Sequence, residues 1–403
     1  MKHPALQKSL LKGSIILLIT INLFNLLNFI YNILMARFLT LAEYGALTTL
    51  IYFIVIFAVF SESIQAVIAR YSTREDNLGK LKNIIKKSFK KATLFSVFSY
   101  VIFLLLSIFL TSLLKISYSL LALTGIMIFV SFLIPITRGV LQGKKLFQPF
   151  GWNMVLEGGV KLILSFILVS IGFGIYGALL GIIFGSIIAL FISKLSLGQI
   201  FSAKEKDSET PNIYSYTKPV FMVMLSVVLF LSIDIIFARI FFSPDLVGAY
   251  AISSTIAKII FIGTQPISKA MFPFTSEIKN RVEAKKPFFS SLKLVVLLTF
   301  VALLIVYFFP ESIVKLYAGR NIFEASSILI YLSLSTSFLA ITNMVLFYSL
   351  SIGRTRYLPI LIIFVAIQAI LLSIFNNSLL QFSLALLCSS IIFLLGSILL
   401  TRK

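Results

Sequence analysis

Four asparagines, Asn22, Asn25, Asn28 and Asn32, interrupt the otherwise apolar stretch INLFNLLNFIYN. At about 100° per residue of α-helix, they project within one arc of roughly 120°. Amides at membrane depth either hydrogen-bond neighbouring helices, at about 0.6–2 kcal/mol per contact, or line a polar cavity, and four on one face favour the cavity. Further along, Ser254, Lys258 and Gln265 lie within about 60° of one another, and Pro266 loosens the helix beside them. A lysine at that depth costs about 2.5–3.5 kcal/mol even on insertion scales, so it needs water, an anion or a partner. Asp234 lies roughly 7 Å away along the membrane normal at 1.5 Å per residue, within a lysine's reach. Two readings of that pair stay open: a structural ion pair, or a site for cargo or a coupling ion. Glu157 and Lys161 are spaced i, i+4 in the favoured order, and either neutralise each other or serve function. Glu62, with Gln65 one turn on, is a candidate ion carrier, as are Glu157 and Asp234. Arg37 and Arg239 are read either as snorkelling anchors or as contacts for an anion.

No constellation of an enzyme accompanies these residues. His3 is the sole histidine, Cys388 is the sole cysteine, no acidic pair has metal-ligand spacing, and neither a Walker loop nor a GxSxG elbow occurs. The expectation is therefore a non-enzyme without metal, disulfide or cofactor.

The elements that must hold these groups are membrane-spanning helices. The chain has 403 residues, 59% of them hydrophobic and only 12% charged, about half the charged fraction usual in soluble domains. Apolar runs long enough to cross a hydrocarbon core of about 30 Å recur throughout. They predict twelve spans, at 13–36, 44–69, 92–114, 117–137, 151–171, 174–196, 217–241, 247–272, 291–309, 323–350, 358–375 and 378–400. Lys and Arg collect on the cytoplasmic side of such proteins. With the N-terminus inside, 28 of the 35 basic residues fall in inner segments and five (Arg37, Lys115, Arg239, Lys315, Arg320) in outer ones, while Lys161 and Lys258 lie within spans. Both termini are therefore expected in the cytoplasm. The formal charge of +21 reads as topology and attraction to anionic lipid headgroups, not as nucleic-acid binding. The first apolar segment is too long for a signal-peptide core and lacks a small-residue cleavage site, so it is expected to remain as a helix.

An internal repeat divides the chain. ILMARFLTLAEYGALTTL from Ile33 matches IIFARIFFSPDLVGAYAIS from Ile235 with one insertion, placing Ala36-Arg37 on Ala238-Arg239 and Gly45-Ala46 on Gly248-Ala249. Six spans separate the copies, so both halves keep one orientation, related by an axis along the membrane normal. The expected domains are a six-helix bundle at 1–201, a polar cytoplasmic linker at 202–214 (SAKEKDSETPN within it) and a second bundle at 215–403. No outer loop exceeds the stretch from Pro310 to Ile322. Two inner segments, LGKLKNIIKKSFKKATLF at 78–95 and EIKNRVEAKKPFFSSLKL from Glu277, are read as amphipathic helices lying on anionic lipid.

Three stretches carry a resemblance: ARFLTLAEYG at 36–45, RGVLQGKKLF at 138–147 and DIIFARIFFSPDLVGAY at 234–250. They are similar to the R-x-L-x-x-x-x-Y-G exit from helix one, the R-G-x-x-Q-G loop and the helix seven–eight turn of the polysaccharide-transporter branch. That branch, which includes O-antigen and capsule-unit flippases, belongs to the multidrug/oligosaccharidyl-lipid/polysaccharide exporter superfamily. Thr40-Leu41 stand where Gly-Pro is usual, which affects turn chemistry. Twelve spans fit this branch, against fourteen in lipid II flippases. The resemblance implies a V-shaped pair of bundles, alternating access, a place in the cytoplasmic membrane, and cargo made of a polyprenyl-diphosphate-linked oligosaccharide. In that picture the Asn face, with Ser254 and Gln265, bonds sugar hydroxyls. Lys161, Lys258, Arg37 and Arg239 meet the diphosphate, and Glu62, Glu157 or Asp234 carries an H+ or Na+ coupling ion. The rivals are a cation-coupled multidrug exporter of the same superfamily and a membrane enzyme that polymerises or ligates lipid-linked glycans.

Overall fold

The computed structural model describes residues 4–208, 218–277, 281–354 and 358–402. Among these, every regular element is helical. Seven longer helices come first: α1 (Pro4–Phe38), α2 (Leu41–Arg74), α3 (Leu78–Leu114), α4 (Tyr118–Gly125), α5 (Met127–Gly143), α6 (Phe147–Leu168) and α7 (Gly174–Leu195). A short α8 (Gly198–Ser202) follows, then α9 (Lys218–Phe241), α10 (Pro244–Glu277), α11 (Arg281–Phe308), α12 (Pro310–Ala318), α13 (Phe323–Ser351), α14 (Leu361–Ile374) and α15 (Leu379–Arg402).

Among the described residues, ten stretches are long and apolar enough to span a membrane, and the protein is a multi-pass membrane protein. The difference from twelve has two physical causes. Residues 147–195 form one hydrophobic run, but Gly172 (φ 98°) and Gly174 (φ 49°) turn the backbone inside it, so it holds two helices, α6 and α7. Positive φ comes at little cost only to glycine. The second cause is α14, whose 14 residues reach about 21 Å at 1.5 Å per residue, less than a bilayer core.

Helix ends are written in the local sequence. Thr40 and Glu43 form a capping box at the start of α2: the Thr40 N–H donates to the Glu43 carboxylate at 2.9 Å and the Glu43 N–H to the Thr40 hydroxyl at 3.2 Å. This replaces the turn that Gly-Pro would make. Asn77 caps α3, accepting from the Gly79 and Lys80 N–H groups at 3.0 and 3.2 Å.

The chain forms two compact units. Unit 1 is Met1–Leu39 with Phe53–Tyr216, and unit 2 is Thr40–Tyr52 with Thr217–Lys403. The first turns of α2 thus group with unit 2, although by sequence they belong to the N-terminal half. In unit 1, α6 packs on α1 and α7, and α5 packs on α3 and α7. In unit 2, α14 packs on α9 and α15, and α13 packs on α10, α11 and α15. With α9 standing for α1, α11 for α3, α13 for α5, α14 for α6 and α15 for α7, four of these five unit 2 pairings repeat those of unit 1. The repeat-matched glycines also meet within unit 2, where a Cβ on Gly45 would lie 2.8 Å from the Gly248 nitrogen.

The amphipathic segment at 78–95 corrects one expectation. It does not lie apart on lipid but opens α3, a single 37-residue helix. Its stripe faces protein: Leu81 and Ile85 are fully buried with Ile68, Val140, Leu141, Phe150, Leu197 and Ile200. In the second segment, residues 278–280 lie outside the described residues, and from Arg281 the chain is continuous with α11. The longest outer segment is folded as well, since α12 buries Val314 and Tyr317.

Candidate functional site

In unit 1 the polar groups gather on α1, α5, α6 and α7. Three of the four asparagines turn their amide NH2 back on their own helix: Asn22 donates to the Leu18 carbonyl at 2.7 Å, Asn28 to Phe24 at 2.9 Å and Asn32 to Asn28 at 2.8 Å. Each amide spends one of its two N–H donors on the i−4 carbonyl, which leaves the second N–H and the amide oxygen to face outward. Asn22 and Asn25 are exposed, and Asn28 and Asn32 half-buried. The Asn28 oxygen accepts from Lys161 Nζ at 2.8 Å, and the same ammonium stands 4.0 Å from the centre of the Tyr31 ring.

Lys161 makes no close ion pair with Glu157, one of the two readings that their i, i+4 spacing left open. Both Glu157 oxygens are engaged elsewhere: Arg138 Nη2 reaches Oε2 at 2.6 Å, and the Ser186 hydroxyl donates to Oε1 at 2.6 Å. Arg138 also donates from Nε to Asn153 Oδ1 at 2.9 Å, and Asn153 Nδ2 to the Ala189 carbonyl at 2.6 Å. This brace went unread because the fourth span was ended at residue 137, whereas α5 runs on to Gly143 and carries Arg138 within it. Gly181 and Gly185 make the arrangement sterically feasible. A Cβ on Gly185 would lie 2.9 Å from the Glu157 carbonyl oxygen, and one on Gly181 2.9 Å from that of Lys161. The GIIFG spacing that lets helices approach closely was the available signal for it. The result is a paired Arg138–Glu157 and an ammonium, Lys161, held by an amide oxygen and a ring face.

In unit 2, Tyr250, Ser254 and Lys258 stand four residues apart on one face of α10, and all three serve Asp234 of α9. Lys258 Nζ lies 3.0 Å from each carboxylate oxygen, while the Ser254 and Tyr250 hydroxyls donate to Oδ2 at 3.0 and 3.1 Å. The pair is sealed, with Asp234 1% and Lys258 6% exposed. Tyr52 covers the ammonium, its ring centre 4.1 Å from Nζ, and nearer the start of α2 the Tyr44 and Tyr317 hydroxyls meet at 2.9 Å. The axial offset that put Asp234 within reach of Lys258 is thus realised as a two-oxygen contact. Tyr250 went unread, although the four-residue spacing to Ser254 and Lys258 was its signal.

Glu62 is exposed and has no cationic partner among the described residues, and Gln65 donates to Gln142 at 2.9 Å. Arg37 is exposed, Arg239 is 5% exposed and Gln265 is half-buried. No group of three or more His, Cys, Asp or Glu able to hold a metal occurs among the described residues.

Comparison with known proteins gives both family and fold. A family model described as polysaccharide biosynthesis protein matches residues 10–279. An uncharacterized membrane protein of Methanocaldococcus jannaschii is 29% identical over 216 residues, which is 48% of this chain and about half, 52%, of that protein's length. Among solved structures, an inward-facing multidrug resistance MATE family transporter of the MOP superfamily superposes with a TM-score of 0.79 at 15% identity, covering 94% of each chain. The lipid II flippase MurJ, in an inward closed conformation, gives 0.76 at 17% identity, covering 96% of this chain and 88% of its own. A MOP superfamily transporter from Pyrococcus furiosus, described as having a binding pocket of reversed polarity, gives 0.66 at 18%, covering 98% and 95%. At these identities the likeness is one of fold.

Proposed function

From the premise that this chain belongs to the polysaccharide biosynthesis protein family and has the fold of MOP superfamily exporters, we propose that it is a flippase. Its cargo is a polyprenyl-diphosphate-linked oligosaccharide, moved across the cytoplasmic membrane by alternating access. The observation that carries the reading is the Lys161 cup. An ammonium about 10 Å from the Leu168 end of α6, at 1.5 Å per residue, stands at membrane depth. Its sequence neighbour Glu157 is taken up by Arg138 and Ser186, so a positive charge is left beside Asn28 and Tyr31. A diphosphate fits there as a counter-anion for which lysine acts as a point charge. The outward amides of the same helix face both donate and accept hydrogen bonds, and sugar hydroxyls do the same. The polyprenyl chain stays in the bilayer.

The same arrangement disfavours export of cationic drugs. Two of the three intramembrane carboxylates already hold a cation, Glu157 on Arg138 and Asp234 on Lys258, and the charge left within the unit 1 cluster is the Lys161 ammonium. An H+ or Na+ seeking Asp234 has to displace an ammonium and two hydroxyls. Glu62 is the carboxylate available to a coupling ion.

The test uses the protein in vesicles loaded with lipid-linked oligosaccharide, with translocation read as exposure of the glycan to an added glycan-cleaving enzyme. Lys161→Ala is expected to lower the rate at least about tenfold, the equivalent of ~1.4 kcal/mol, and Lys161→Arg to keep most of it. Wild-type flux in Lys161→Ala rejects the cup as the cargo site. New glycosidic bonds formed by the purified protein reject the transporter reading altogether.

A further inference from the structure

Residues 203–208 leave α8 extended and run along the first turns of α3, where side chains of α3 hold them at nearly every step. Lys82 Nζ donates to the Ala203 carbonyl at 2.8 Å, and Asn83 Nδ2 to Glu205 at 2.9 Å. Lys86 pairs with the same Glu205 carboxylate. Lys87 Nζ reaches both Asp207 Oδ1 and the Ser208 carbonyl at 2.8 Å. The Ser208 N–H and hydroxyl return bonds to Asn83 Oδ1 at 3.3 and 3.2 Å. Backbone meets backbone where the Lys206 N–H donates to the Gly79 carbonyl at 3.2 Å. A Cβ on Gly79 would strike the Lys204 carbonyl, so the strap lies against a bare helix surface. Side chains alternate along extended chain: Glu205 and Asp207 bond the helix, while Lys204 and Lys206 are exposed and have no ion pair among the described residues.

This is an anion site whose present occupants are the chain's own carboxylates. Its depth says what else reaches it. The lysines stand on the same continuous helix as the exposed Leu94, Phe95 and Phe98, which begin immediately after Lys90 and Lys91. A lysine at the end of a hydrophobic span lies at the level of lipid phosphates. Lys80, Lys90 and Lys91 add charge to the same stretch with no carboxylate partner among the described residues. Exposed ion pairs are each weak and screened by salt, so an array of phosphates competes with two carboxylates on even terms.

We propose that the basic face of α3 is a docking site for anionic phospholipid headgroups and that the strap Ala203–Ser208 is its built-in competitor. Headgroup phosphate takes Lys86 and Lys87, Glu205 and Asp207 let go, and the strap lifts. Lifting releases six residues of chain ahead of α9, up to about 20 Å of extended reach at ~3.3–3.6 Å per residue. Anionic lipid content thereby sets the length of the connection between α8 and α9.

Hydrogen exchange of peptides covering 203–208 tests this on the full chain in lipid nanodiscs. In pure phosphatidylcholine, exchange is expected to be slow, and with phosphatidylglycerol mixed in, about fivefold or more faster, the response to losing a modest set of contacts. Gly79→Ala removes the backbone fit without changing charge, and alanine is the better helix former. That variant, and the Glu205→Gln/Asp207→Asn double variant, should exchange fast in both lipids. Inorganic phosphate added to the neutral nanodiscs should leave exchange slow. Exchange that ignores lipid composition while Gly79→Ala accelerates it overturns the lipid assignment, and so does an equal effect of inorganic phosphate.

Discussion

A buried carboxylate is tolerated in a membrane helix only when donors replace the water it lost, and Asp234 has three donor side chains for that purpose. Breaking such a pair from one side is costly, while removing both members together is not. Lys258→Met alone is therefore expected to cost about 3–5 kcal/mol of folding stability, and Asp234→Asn with Lys258→Met to recover most of it. Thermal unfolding of the purified variants measures this. A double variant as unstable as the single one would mean that the ammonium serves more than Asp234. Glu62 presents the opposite case, an exposed carboxylate with no cationic partner among the described residues. If it carries the coupling ion, Glu62→Gln should abolish the acceleration of glycan translocation by an imposed H+ or Na+ gradient and leave gradient-free exchange intact. Undiminished gradient dependence would exclude it. How far the sites were legible follows the same line. Residues on adjacent helices at matching depth, such as Asp234 and Lys258, can be paired by counting rises. Arg138 could not be paired with Glu157, because that contact depends on where α5 ends and on how closely α7 presses against α6.

Helix–helix contacts carry this second kind of information. Periodicity marked 78–95 as amphipathic, and it is. But an apolar stripe satisfied by lipid and one satisfied by Val140, Leu141 and Phe150 look the same in sequence. Glycine spacing is more informative, since lipid offers no reason for a bare backbone and a packed helix does. Gly185 should therefore tolerate little. Gly185→Val drives carbon into the Glu157 backbone, and overpacking of this kind costs about 1–3 kcal/mol. Gly159, on the neighbouring helix, has nothing within 4 Å of its would-be Cβ. Gly159→Ala should be neutral or stabilising by up to about 1 kcal/mol. Equal losses of thermal stability in the two variants would refute the packing account. The strap on α3 has its own signature. Bonding to Lys86 and Lys87 holds the Glu205 and Asp207 carboxyls below the usual carboxylate range. A depressed folded-state pKa adds stability above the unfolded value and loses it only as pH falls through the lowered one. Strap protection should thus be flat from about pH 5 to 8 and yield instead to salt.

At the scale of the whole molecule, the reading depends on which side of the membrane the lysines occupy. Within unit 1 the basic helix ends meet one another: Lys144 Nζ donates to the Glu75 carbonyl at 2.7 Å, and the α3 lysines hold the chain that follows α8. The ends of α2, α3, α5 and α8 therefore share one side, and the α3–α4 turn, with Lys115 in left-handed conformation, belongs to the other. From the charge count, with 28 basic residues in the segments expected inside against five in those expected outside, we propose that the first side faces the cytoplasm. This direction matters for the proposed flippase, because its proposed cargo, a glycan built on a lipid carrier inside the cell, would have to emerge outside, and a reversed chain would present its basic ends to the wrong leaflet. In a Cys388→Ala background, Ser119→Cys at the start of α4 should react with a membrane-impermeant thiol reagent in intact cells. Lys80→Cys on α3 should react only after the membrane is opened. The opposite pattern would place the lysine-rich ends outside, and export from the inner leaflet would then lose its structural basis, because the strap, its lysines and the anionic lipid proposed to move it would all face away from the leaflet where the cargo is made.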